Sequence, residues 1–248
     1  MTEVRDSVAR RRAELDAMRP LPPEALRLPE HAYDLEITYT SNAVEGNTLT
    51  AAETSLVVEN GITVGGKPLK DHLEALDHFD ALRFVRSAAR DPAPLREADV
   101  RNLHRLILAR SAPEIAGQYA RHGRFALTES GRHAFPSPAE IPALMGDFAA
   151  WLSTAPDEPA TAFDAHRRLV DIHPFEDGHG RTARLLMNLM LIRGGDPPIA
   201  IRPEDRPAYL RALGTGQAGG GTEAFDRLLW QRLGERLDDM LCALRSAG

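Results

Sequence analysis

Residues 173–184 read HPFEDGHGRTAR, and LLMNLMLI follows at 185–192. A histidine ahead of proline, two acids, a Gly-His-Gly turn and two arginines precede a stretch apolar enough for a buried helix. A glycine-rich turn that opens a helix presents free backbone N–H groups, the usual way a chain holds phosphate. Arg181 and Arg184 fall in the first turns of that helix, where the positive end of the helix dipole repels cations. Their steps place them on one face with Asn188, and Leu185, Leu186, Leu189, Met190 and Ile192 make the remainder apolar. A buried polar stripe with two cations at the wrong end of a dipole demands an anion. Polyphosphate fits that demand.

The histidine terminates its own helix. Phe163, His166, Val170 and His173 recur at helical spacing through TAFDAHRRLVDIH. Pro174 pushes His173 out of the helical region and turns the chain. The imidazole then stands at the mouth of the turn, where its neutral form can accept a proton.

Outward from this unit the pattern is helical almost throughout. Apolar spacing predicts helices over about 3–18, 30–45, 51–60, 68–90, 95–110, 138–153, 160–172, 180–194, 203–213 and 223–245. Proline- and glycine-rich loops separate them, among them RPLPPE at 19–24 and GQAGGG at 216–221. Residues 117–136 alternate instead around Phe125 and Leu127, turn at Glu129-Ser130-Gly131 and return through His133 and Phe135. That reads as one β-hairpin in an all-α chain. Its exposed edge can pair with another extended segment.

A second constellation lies upstream, in TYTSNAVEGNTLTAAE at 38–53. Thr50 and Glu53 have the spacing of a capping box, and Gly46-Asn47 ends the helix before it. Glu45 therefore sits at a helix C-terminus, which disfavours its charge. An acid at a helix end that repels it and arginines at a helix start that repel them are natural partners.

Composition narrows the class. The chain has 248 residues, enough for one sizeable core, and 43% of them are hydrophobic, as in an ordinary globular protein. A net charge of −6 argues against a nucleic-acid surface. The single cysteine, Cys242, excludes an intrachain disulfide and fits a reducing compartment. No apolar run reaches membrane-spanning length and the charged N-terminus carries no signal-peptide core, so a cytoplasmic protein without membrane contact is expected.

These residues carry a resemblance to the Fic family, enzymes that typically transfer AMP from ATP to protein hydroxyls. The signature HPFx[DE]GNGRxxR matches 173–184 at every specified position except one, where His179 replaces asparagine. Ser41-Asn42-Ala43-Val44-Glu45-Gly46 resembles the family's inhibitory motif [ST]xxxE[GN]. The hairpin with PSPAEIPALM after it looks like the target-docking flap, and RPEDRPAYLRAL at 202–213 resembles the segment after the core. The resemblance implies an all-α, Fic-like helical bundle with one β-hairpin flap. Residues 1–65 would form the N-terminal helices with the inhibitory helix at about 30–45. Residues 66–215 would form the core, and 216–248 a C-terminal helix.

Roles follow position by position from that resemblance. His173 would be the general base for a Ser, Thr or Tyr hydroxyl, and Asp177 would bind Mg²⁺. Gly178, His179 and Gly180 would form the anion nest, supported by Arg181, with Arg184 on the terminal phosphate of ATP. Glu45, flanked by Ser41 and Gly46, would pair with Arg184 and keep ATP from seating. A looser alignment places Tyr209, Leu213 and Gln217 near the adenine. A protein target would dock on the flap, and a homodimer stays open. Histidine is bulkier than asparagine and when neutral donates through one nitrogen only, so the contacts at 179 must differ from the family's.

Three other readings stand beside this one. Glu45 could position water for the reverse reaction, removal of AMP. Asp171, His173, Glu176, Asp177 and His179 have ligand-type chemistry that would suit a metal-dependent hydrolase. A nest spoiled by His179 would leave a catalytically impaired binding protein.

Overall fold

A computed structural model of the chain describes residues 1–21, 23–128 and 131–247. Local signals account for most element starts. Thr50 Oγ1 accepts from the Glu53 N–H at 3.2 Å while the Glu53 carboxylate accepts from the Thr50 N–H at 2.7 Å, so the capping box opens a helix at Ala51. Prolines occupy the first turns of the helices that begin at Ile141, Pro159 and Arg206, where the missing N–H costs nothing.

In chain order the helices are α1 (Thr2–Ala17), α2 (Pro23–Val44), α3 (Ala51–Asn60), α4 (Leu69–Ala88) and α5 (Glu97–Ile107). The strands β1 (Phe125–Thr128) and β2 (Gly131–Ala134) come next. Then follow α6 (Ile141–Leu152), α7 (Pro159–Ile172), α8 (His179–Arg193), α9 (Arg206–Gln217) and α10 (Glu223–Ala247), with a 3₁₀ turn at Pro203–Asp205 leading into α9. The fold is all-α with a single antiparallel hairpin among the described residues.

Two elements differ from the sequence expectation. Helix α2 starts at Pro23 rather than near residue 30 and carries Pro29 inside it. A proline can begin a helix, and the buried face of Leu26, Tyr33 and Ile37 carries this one through the second. The hairpin is shorter than 117–136. Its ladder runs from Phe125 opposite Ala134 to Thr128 opposite Gly131. The expected turn residues Glu129 and Ser130 lie outside the described residues. Residues 120–122 leave the ladder because their N–H groups bond elsewhere: Ala120 to the Pro174 carbonyl at 2.9 Å, Arg121 and His122 to the Glu176 carboxylate at 2.7 and 3.2 Å.

Helix α8 is the axis of the bundle. It packs against α7, α4, α5 and α2, so every residue from Arg181 to Leu191 is buried. Burial of a leucine side chain stabilises by about 1.5–3 kcal/mol. Leu185, Leu186, Leu189 and Leu191 together therefore offset much of the cost of bringing two guanidinium groups into the same helix, several kcal/mol per ion. One hydrophobic core extends from Val8 on α1 to Leu244 on α10, with a smaller cluster of Leu49, Val57 and Ala75 between α3 and α4. Among the described residues no helix is long and apolar enough to cross a membrane.

Candidate active site

His173 caps α7 in the left-handed conformation, φ 52° and ψ 55°, and no other non-glycine residue among those described has a positive φ. A residue before proline prefers extended backbone, and the left-handed state costs roughly 1–2 kcal/mol. The surrounding packing holds it there. Its ring lies face-on between Phe135, with centroids 3.7 Å apart, and His179, 3.4 Å away. Nδ1 is 3.2 Å from the Val170 carbonyl. That contact places the proton on Nδ1 and leaves Nε2 as the lone-pair nitrogen. Burial pulls the imidazole down to about 4, so it is neutral at pH 7.

The loop after His173 is pinned on both sides. Phe175 is buried and stacks on His104 at 3.7 Å. Glu176 turns away from the pocket to the root of the hairpin, where it also meets His122 Nδ1 at 3.0 Å. Asp177 is half-exposed and accepts from the next N–H, of Gly178, through Oδ1 at 2.6 Å. Its Oδ2 lies 3.7 Å from Lys70 Nζ. Burial works to raise the Asp177 pKa, but Arg181, the Gly178 N–H and Lys70 together hold it below the usual carboxylate range. Gly178 adopts φ 74°, and a Cβ there would come within 2.8 Å of Ile107 Cδ1, so glycine is required.

Helix α8 starts at His179 with three N–H groups that no helical carbonyl can reach. Over them lies the Glu45 carboxylate. A Cβ on Gly180 would be 2.2 Å from Glu45 Oε1, so the acid rests directly on that glycine. The same oxygen accepts from Arg184 Nη2 at 2.7 Å. Arg184 also donates to the Ser41 hydroxyl at 3.0 Å and the Ser41 carbonyl at 2.8 Å, and Nη1 lies 3.5 Å from the Tyr209 hydroxyl. Gly46 follows with φ 97°, and Arg206 caps the Val44 carbonyl at 2.6 Å. Cations thus meet the carbonyl end of α2, as its dipole favours.

The remaining expectations separate into kept and altered partners. Arg181 is buried and pairs with Glu74 at 3.1 Å, a residue that sequence reading did not single out. Its Nε has no hydrogen-bond partner among protein atoms, nor does the shielded Nδ1 of the half-buried His179. Asn188 faces the stripe but spends both amide atoms on Ile199, at 2.9 and 3.0 Å. Tyr209 places its hydroxyl between Arg184 and His166 Nε2, 2.9 Å from the latter. His104 and Glu74 were not singled out from sequence, and Phe135 and His166 were read there only as parts of the hairpin and of α7. Each acts across elements far apart in sequence, where spacing carries no signal.

Donor chemistry sorts the ligands that would fit. Among the described residues no three His, Cys, Asp or Glu side chains converge on a point. Asp171 pairs with Arg167 at 3.2 Å, and Glu176 serves the hairpin. A divalent cation here would have Asp177 as its protein ligand and need the rest of its shell from elsewhere. Mg²⁺ bound to nucleotide phosphates is such a case. The Arg181 guanidinium, the free N–H groups that open α8 and the seat on Gly180 suit the phosphates themselves.

The Fic/DOC family model matches residues 94–191. Protein adenylyltransferase Fic of Nematostella vectensis is 37% identical over 186 residues, which are 73% of this chain and 43% of that protein. The chain thus spans less than half the length of the curated relatives it matches. A Fic domain containing signaling protein from Bacteroides thetaiotaomicron has a solved structure that matches with TM-score 0.89 and 32% identity over 97% of both chains. Fic-1 (aa134–508) from C. elegans matches with TM-score 0.84 and 28% identity, over 98% of this chain and 71% of that one.

Proposed function

The chain belongs to the Fic/DOC family, and from that membership we propose that it transfers AMP from ATP to a Ser, Thr or Tyr hydroxyl of a target protein, with Glu45 holding the reaction back. The observation that carries this reading is the seat on Gly180, where a carboxylate already lies against the start of α8 and bonds Arg184. An acid that rests there stands in for an anion that the helix terminus and guanidinium are arranged to hold.

The chemistry follows from the neighbours. The target oxygen attacks the α-phosphorus of ATP, the bond to pyrophosphate breaks, and the hydroxyl proton passes to His173 Nε2. His173 is neutral and held between two rings, so its Nε2 lone pair is fixed in direction without rotation of the ring. Asp177 would hold Mg²⁺, which when bound neutralises phosphate charge. Gly178, His179 and Gly180 line the loop, Arg181 supports it, and Arg184 takes the terminal phosphate once Glu45 withdraws. Ser41 and Gly46 set where Glu45 stands: Ser41 holds Arg184 and Gly46 ends the helix. An extended target segment pairs with the hairpin edge through its backbone. Position and charge neutralisation supply most of the rate in such transfers.

The test uses ATP labelled at the α- or the γ-phosphate with the Glu45→Gly protein and Mg²⁺. Protein-bound label is expected from the α-position alone and is expected to vanish with His173→Ala. Label from the γ-position, or label that survives His173→Ala, overturns the proposal.

A further inference from the structure

His104 on α5 is fully buried, and both of its ring nitrogens are committed. The Gly117 N–H donates to Nδ1 at 2.9 Å. Nδ1 therefore carries no proton, and Nε2 must hold it. That Nε2–H donates to the Asp177 carbonyl at 3.0 Å. Nothing in the proposed transfer uses His104, yet its ring closes on three elements at once: Gly117 at the entry to the hairpin, Phe175 stacked at 3.7 Å, and the peptide after Asp177.

That last peptide is the informative one. Its carbonyl edge is held by His104, and its N–H edge, on Gly178, donates to Asp177 Oδ1 at 2.6 Å. A peptide unit is planar, so a hold on one edge sets the direction of the other. His104 thereby fixes which way the Gly178 N–H points, and that N–H fixes Oδ1 of the carboxylate. Oδ2 is left turned toward Lys70 and the open side of the loop. The Gly178 backbone cannot drift to compensate, because Ile107 and the His104 ring wall it in.

We infer that His104 is a positioning residue that aims the Asp177 carboxylate at its cation through the intervening peptide plane. The inference rests on the reading of Asp177 as the Mg²⁺ ligand. Outer-shell partners of this kind typically alter metal affinity by about tenfold or more.

Two conservative variants separate aim from mere packing. Asparagine reaches the position of Nδ1 and keeps the Gly117 bond. Glutamine reaches that of Nε2 and keeps the Asp177 bond. Both are compared in the Glu45→Gly background by the Mg²⁺ concentration that gives half-maximal ATP binding. His104→Asn is expected to raise that midpoint about tenfold, while His104→Gln stays within about twofold of the parent. Equal midpoints for the two variants overturn the inference while leaving the role of Asp177 intact. Binding in the parent that ignores Mg²⁺, or is unchanged by Asp177→Ala, overturns the reading of Asp177 and the inference with it. Should either histidine variant fail to fold, ¹⁵N-histidine NMR of the Glu45→Gly protein serves. The His104 Nε2–H resonance should move when Mg²⁺ and ATP are added together and hold still with ATP alone. No movement with both overturns the inference.

Discussion

Glu45 and Arg184 are 139 residues apart in the chain, and their side chains meet at 2.7 Å over the first turn of α8. The pair resolves two unfavourable placements together, an acid beyond the C-terminus of α2 and a cation near the start of α8. Arg184 keeps its bonds to Ser41 and its contact with Tyr209 without Glu45. Glu45→Gly should therefore leave the guanidinium in place and clear the seat on Gly180. ATP with Mg²⁺ should bind the variant about tenfold more tightly by calorimetry, the gain expected from one charge-assisted contact. Equal affinities would separate Glu45 from the nucleotide.

The His179 ring covers one face of His173. Burial is the main reason the His173 imidazole is held near 4, and a base that weak is poorly matched to reaction at pH 7. Asparagine at 179 uncovers that face and lets the pKa rise toward its ordinary value. In the Glu45→Gly background, His179→Asn should raise transfer at pH 7 roughly tenfold and move the acidic limb of the pH–rate profile upward. A fall in rate with an unmoved limb would show that His179 has its own place in the reaction.

Loss of solvent keeps His78, His104, His166 and His173 neutral at pH 7. Burial lowers His78 and His166 to about 3 and His104 and His173 to about 4. The unfolded chain takes up these protons near pH 6.5, so it binds more protons than the folded chain below that value. Their neutral burial is favourable above pH 6.5, and stability is lost as the pH falls from there toward 4 and 3. Each tenfold difference in proton affinity is worth about 1.4 kcal/mol. Urea unfolding should show a loss of at least ~3 kcal/mol between pH 7 and pH 4.5. A flat profile over that range would contradict the burial of these rings.

Asn188 lies on the same helical face as the two arginines, but its amide is bonded to both backbone groups of Ile199. Removing it leaves a buried N–H and a buried carbonyl unpaired, at about 1–3 kcal/mol each. Asn188→Ala should cost about 2–4 kcal/mol in denaturant unfolding and leave ATP affinity in the Glu45→Gly background unchanged. Lost affinity in a folded variant would return Asn188 to the site.

What could be read from sequence was whatever local chemistry encodes. The end of α7 at His173, the start of α8 and the capping box at Thr50 and Glu53 all follow from neighbours within one turn. The pairing of Glu45 with Arg184 was legible because both break the dipole rule, and each break needs a remedy. His104 was not legible, since a histidine on the buried face of α5 has the same spacing as its apolar neighbours Val100, Leu103 and Ile107. Phe135 and Glu74 reach the site from other elements, and only the packing of α4 and the hairpin root against α8 and the 173–178 loop brings them in. The hairpin was read too long because alternation in residues 117–124 does not reveal that the 173–178 loop takes their N–H groups.

The most direct test is the intact mass of the Glu45→Gly protein after incubation with each nucleoside triphosphate and Mg²⁺, beside the Glu45→Gly, His173→Ala double variant. AMP transfer through His173 requires added mass equal to one AMP group per modified site with ATP, and none in the double variant. An unmodified Glu45→Gly protein that also fails to label any protein in a lysate, or an adduct that persists without His173, would contradict it.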